Sequence, residues 1–163
     1  MIKNKRSKKH HGSKFSLQYI YDNNLVDKIQ GFELKLNDNL GNFTADMKLL
    51  PDRLTPNAKS IEFKSWKTGS FNLLNGEQYK NQLKTYMKSG EFEQIFDAQK
   101  LIKDGLTTDP DLFVKQKIVD MIKKNAEEFW SDNEIRSFLM NEGVDDINNL
   151  NVNSLFINHF KAK

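Results

Sequence analysis

The chain reads as an α/β protein with a small central sheet and additional helices toward its C-terminal end. Three observations predict this. Residues 60–66, Ser-Ile-Glu-Phe-Lys-Ser-Trp, alternate as a strand does, with Ile61, Phe63 and Ser65 on one face and Glu62, Lys64 and Trp66 on the other. Residues 76–89 carry an apolar stripe at helical spacing (Tyr79, Leu83, and Tyr86 or Met87) and stop at Gly90, where a C-terminal capping glycine belongs. Beyond Asp109-Pro110, which supplies a helix start, Val114, Ile118, Met121, Ile122 and Phe129 recur with helical periodicity.

The remaining elements follow in order. Residues 1–14 hold six Lys or Arg and no acid, and read as a disordered basic arm or a linker, leaving 15–163 as a single domain. Residues 43–50 form a strand, and turn signals at Pro51-Asp52 and Pro56-Asn57 bring the chain back alongside it. A strand from Phe92 follows the Gly76–Ser89 helix, and residues 104–111 form a loop. Ser131-Asp132-Asn133-Glu134 is a capping box that opens a helix with Ile135, Phe138 and Leu139 inward, ended by Gly143. A short last helix is expected near Ser154–Phe160. The C-terminal helices, about 110–163, are expected to cover the sheet face that carries Ile61, Phe63 and Ile95, which would otherwise lie in water.

The chemistry is concentrated in the middle of the chain. The turn after residue 50 brings Asp46 beside Glu62, and Glu62 and Lys64 project from the same side of their strand. Two carboxylates are hard oxygen ligands suited to Mg²⁺ or Mn²⁺, ions that take further ligands from water and from a phosphate. A point cation beside them, Lys64, would orient the attacking water and stabilise charge in the transition state. Gln78, Gln82 and Tyr86 lie four apart along one side of the helix, where a glutamine and a tyrosine could hydrogen-bond a nucleotide phosphate or a metal-bound water. The histidines, His10, His11 and His159, are all remote from these residues in sequence. A second Glu-x-Lys, at Glu33 and Lys35, has no aspartate-bearing strand before it and no glutamine helix directly after it.

On these residues the segment from about 25 to 100 resembles the PD-(D/E)XK nuclease superfamily. The resemblance implies a restriction-endonuclease-like αβββαβ core with a small mixed central sheet, laid on Leu25–Leu36, Phe43–Leu50, Ile61–Trp66, Glu77–Lys88 and Phe92–Ala98, the first of these as the helix. It implies metal binding by Asp46 and Glu62, a catalytic role for Lys64, and a further carboxylate from the first element, for which Glu33 is the best-placed residue. Gln82-x-x-x-Tyr86 is similar to the glutamine-tyrosine motif of one branch that includes exonuclease-like members. Ala45 stands where the motif's proline would precede Asp46.

The resulting expectation is a Mg²⁺- or Mn²⁺-dependent hydrolase of phosphodiester bonds, an endo- or exodeoxyribonuclease, with RNA as the other substrate a hydrolytic mechanism permits. Lys67 and Lys84 are expected substrate contacts, within a lysine-lined groove that also takes in Lys48, Arg53, Lys59, Lys80 and Lys88. No sequence-reading module accompanies the site, which favours non-specific or structure-directed cleavage over restriction-type recognition. A compact catalytic domain behind a basic leader resembles the toxic nuclease modules of bacterial effectors, which implies an acidic immunity protein as partner. It also implies action in the bacterial cytoplasm, or delivery into that of a target cell. The alternative is a non-catalytic nucleic-acid-binding or protein-interaction domain on the same fold.

Composition bounds these readings. The chain has no cysteine, which excludes disulfides and thiolate metal sites. No apolar run is long enough to span a bilayer, and the first residues lack the apolar stretch of a secretory signal, so a soluble protein is expected. The net charge of +3 is unevenly spread: beyond residue 14 the chain holds nineteen of the 25 basic residues and all 22 acidic ones, a net charge of −3.

Overall fold

The computed structural model describes residues 6–36, 43–51 and 58–163, with side chains from residue 14 onward. Arg53 and the turn residues 52–57 lie outside the described residues, as do residues 1–5. Helix α1 (Arg6–Asp22) takes in much of the segment expected as a basic arm. It leads through a 3-10 turn (Val26–Lys28) into β1 (Ile29–Lys35), β2 (Thr44–Leu49) and β3 (Lys59–Lys64). A 3-10 segment (Thr68–Asn75) precedes α2 (Glu77–Ser89), then come β4 (Phe92–Phe96), α3 (Ala98–Lys103), α4 (Pro110–Lys124), α5 (Ala126–Trp130) and α6 (Asn133–Asn141). Two further 3-10 turns end in β5 (Phe160–Ala162). The architecture is mixed α/β on a five-stranded mixed sheet of order β1-β2-β3-β4-β5. β1, β2 and β3 form an antiparallel meander, and β4 and β5 add in parallel. A parallel neighbour needs a crossover, and α2 supplies it between β3 and β4.

Leu25–Leu36, laid on the first helix of the core, is a strand over most of its length. Gly31 disfavours a helix there, and Leu34 and Leu36 alternate inward while β1 pairs with β2 from Ile29↔Leu49 to Lys35↔Thr44. The covering helix is α1, which comes earlier. Its Ile20 is buried with Met47, Ile61 and Ile95, and Phe15 and Tyr19 pack edge-on to Phe63 at 5.8 and 5.5 Å. Burial of a side chain such as Ile20 contributes about 2 kcal/mol. The face of Ile61, Phe63 and Ile95 is therefore covered by α1 and not by the C-terminal helices. Those helices pack on the opposite face, where Phe92, Phe96 and α2's Tyr79, Leu83 and Tyr86 join Val114, Ile118, Ile122, Phe129, Ile135 and Leu139.

Several boundaries differ locally from expectation. Asp132, not Ser131, caps α6, its carboxylate accepting the N–H groups of Glu134 and Ile135. Asp97 caps α3 by accepting the Lys100 N–H, so a short helix precedes the loop after residue 103. The last helix is only a 3-10 turn, Leu155–His159, because Phe160 and Ala162 alternate inward as β5 and close the sheet beside β4. Gly90, at φ 100°, ends α2 in a conformation that only glycine adopts freely. Among the described residues, no helix is long and apolar enough to cross a membrane.

Candidate active site

The antiparallel ladder of β2 and β3 pairs Leu49↔Lys59, Lys48↔Ser60 and Met47↔Ile61, and stops there. The next residues along, Asp46 and Glu62, face each other where the two strands part. Instead of a ladder bond, the Phe63 N–H donates to Asp46 Oδ2 at 2.7 Å. Core packing changes side at the same point: Met47 belongs to the α1 layer, whereas Ala45, two residues away, belongs to the α2 layer. Across from Asp46 on β1, Glu33 lies between the pairs Phe32↔Met47 and Leu34↔Ala45 and has φ 50°, a left-handed conformation costing a non-glycine residue about 1–2 kcal/mol. Backbone strain and an interrupted ladder thus meet at the two carboxylates.

Glu62 is nearly inaccessible, at 7% exposure. Three donors surround its carboxylate: Lys64 Nζ at 2.5 Å and Gln82 Nε2 at 3.1 Å on Oε1, and Tyr86 OH at 2.7 Å on Oε2. Lys64 also donates to Gln82 Oε1 at 3.0 Å, which closes a ring of Glu62, Lys64 and Gln82. The alternation of β3 places Glu62 and Lys64 on the α2 face, and the four-residue spacing of α2 sets Gln82 and Tyr86 over them. Burial, then the Glu62 charge, raises the Tyr86 hydroxyl far above its ordinary value, so it remains a donor. Burial, then Glu62, also pushes Asp46 up to about 6 against the pull of the Phe63 N–H and Lys64, and Glu33 adds a smaller upward push.

Of the residues singled out in the sequence, Glu62, Lys64, Gln82 and Tyr86 are therefore in direct contact, with Asp46 beside them. Glu33 is near enough to act on Asp46 electrostatically but is exposed. Gln78 lies one turn away from Gln82, on the wall of a cleft shared with Lys64. Lys84 is not part of this cluster. It is buried on the far side of α2, where it and Lys80 both pair with Glu128 of α5, and it sits 5.7 Å over the Phe129 ring. Lys67 is exposed and turns toward Asp104, 3.9 Å away. The expected lysine groove dissolves in the same way, since Lys59 pairs with Glu93 and Lys88 with Asp132 and Glu134. A sequence shows each cation but not the carboxylate that tertiary packing brings to it.

The donor set suits a hard cation. Among the described residues no group of three or more His, Cys, Asp or Glu side chains is gathered closely enough to hold a metal ion. Mg²⁺, however, needs only one or two carboxylates when water and phosphate complete its shell. A carboxylate offers about four acceptor directions, so Glu62 retains about one, on Oε2, and Asp46 Oδ1 has no partner among the described residues.

Two neighbours of the cluster carry no role in the sequence alone. Gln94 of β4 is beside Glu62 in the parallel register, fully buried, and accepts the Tyr79 hydroxyl at 2.6 Å, while its Nε2 finds no partner. Trp66, on the Glu62 face by alternation, lies 5.6 Å from Lys64 Nζ. The alternation of Phe92, Gln94 and Phe96 was a signal for the first, but the β3–β4 register that makes it a neighbour of Glu62 is set only by folding. Comparison of the chain with protein-family models, curated proteins and solved structures finds no match.

Proposed function

We propose that the protein is a metal-dependent nuclease that hydrolyses phosphodiester bonds at the Asp46, Glu62 and Lys64 cluster. The observation that carries this reading is the convergence, at a break in the sheet, of two carboxylates from neighbouring strands with a half-buried lysine, a glutamine and a tyrosine. An element order of helix, three-stranded meander, helix and strand supports the finer assignment to a restriction-endonuclease-like core.

Asp46 and Glu62 would hold Mg²⁺ or Mn²⁺, with Glu33 as the adjacent third acid. When bound, the ion activates water and offsets charge on the phosphate oxygens. Lys64 would orient the attacking water and offset negative charge on the equatorial oxygens around the pentacoordinate phosphorus. Gln82 fixes both Glu62 and Lys64, and Tyr86 holds the second Glu62 oxygen, so neither charged group must reorganise during the reaction. Buried polar groups so arranged are worth more than in water because little solvent screens them.

A second reading has its own support: Lys64 satisfies Glu62 internally, as a structural ion pair in a non-catalytic domain would. Incubation with supercoiled plasmid, with single-stranded DNA and with RNA in Mg²⁺, in Mn²⁺ and in chelator separates the two. Cleavage abolished by chelator is the expected result. Substrates left intact in every metal would overturn the nuclease reading.

A further inference from the structure

Lys64 forms one wall of a pocket of about 350 Å³ between the end of β3, the 3-10 segment Thr68–Asn75 and the first turn of α2. Trp66, Tyr79 and Leu73 supply its apolar surfaces, and Gln78 and Gln82 its amides. The aromatic walls are fixed. Trp66 meets Phe71 and Phe96 edge-on at 5.5 and 5.7 Å, and Tyr79 is tied through its hydroxyl to buried Gln94. The rim is open, with Leu73 60% exposed and Gln78 exposed. The half-buried Trp66 ring, backed by Tyr79 at 5.8 Å, carboxamides able to pair with a base edge, and a volume suited to one nucleotide match a nucleobase better than a phosphate, since Glu77 on the lining is acidic and Lys64, the cation among the described lining residues, is already paired with Glu62.

Resting on the nuclease reading, we propose that this pocket seats one unpaired nucleobase next to the bond being cut, so that the substrate is single-stranded or frayed nucleic acid and not an intact duplex. A base within a duplex reaches such a pocket only by unpairing and leaving its stack, which opposes binding of an intact duplex. The base and its neighbouring phosphate are then held together, because Lys64 belongs both to the pocket wall and to the Glu62 cluster.

The chain has two tryptophans, and Trp130 is far along the sequence in α5, so Trp130→Phe leaves Trp66 as the only reporter. In chelator, a short single-stranded oligonucleotide should quench Trp66 saturably. One abasic position should weaken binding by roughly fivefold or more, the loss of one base–aromatic stack. With metal, the wild-type chain should cut the single strand at least about tenfold faster than a closed hairpin duplex of the same sequence. Equal rates on the two substrates, or Trp66 fluorescence that no oligonucleotide changes, would overturn the pocket assignment and leave the nuclease reading intact. Absence of cleavage on every nucleic acid would overturn that reading itself.

Discussion

Asp46→Asn should make the protein more stable at neutral pH while abolishing its activity. Asp46 titrates near 6 in the fold against an ordinary value of 3.8. A carboxyl raised in this way favours the folded state fully below about pH 3.8 and loses that contribution as pH climbs through about 6. The full difference corresponds to about 3 kcal/mol; the side chain is only half-buried and solvent screens part of its charge, which leaves about 1–2 kcal/mol. Asparagine keeps an oxygen for the Phe63 N–H and carries no charge. Urea unfolding in chelator, followed from pH 4 to pH 8, should show the two proteins converging near pH 4 and the variant ahead by about 1–2 kcal/mol at pH 7. A variant that is less stable than wild type at pH 7 would refute the account of Asp46 as a charge the fold tolerates for function.

Glu33→Gly should relieve the left-handed strain and gain up to about 1 kcal/mol in thermal or urea unfolding while reducing cleavage, since glycine adopts φ 50° freely but removes the third acid. Tyr86→Phe removes one donor from buried Glu62 and should cost about 1.5–3 kcal/mol in chemical unfolding, together with a fall in kcat. Glu128→Gln should destabilise the fold by about 2 kcal/mol, because Lys80 and Lys84 lose a shared carboxylate, yet leave kcat unchanged on a labelled single strand; a selective loss of activity would return Lys84 to the substrate path.

Much of the site was legible before folding because its residues lie on regular elements. Alternation puts Glu62 and Lys64 on one face of β3, and the four-residue repeat puts Gln82 and Tyr86 on one side of α2, so local periodicity groups the four as two pairs, which packing of α2 on β3 then joins. What the periodicities could not supply is pairing between distant elements. The Leu25–Leu36 segment was laid on a helix because the resemblance called for one there, whereas its hydrogen bonds go to β2. The covering helix instead starts within the basic stretch 1–14 and runs on to Asp22, and the residues that pack it, Phe15, Tyr19 and Ile20, lie just beyond that stretch. Lys84, expected as a substrate contact, pairs inward for the same reason: nothing near residue 84 announces that Glu128 will arrive 44 positions later. The break in the β2–β3 ladder and the strained Glu33 are departures from strand regularity, and a reading built on regularity has no means to see them.

The most direct measurement is kcat/KM of Lys64→Met beside wild type on a labelled single strand in Mn²⁺, with the unfolding midpoint of both recorded. The account predicts a fall of at least about a hundredfold in kcat/KM, comparable to the removal of one preorganised electrostatic group, with the variant still folded. A folded variant that cuts as fast as wild type would place any chemistry elsewhere and contradict the assignment of this cluster as the catalytic centre.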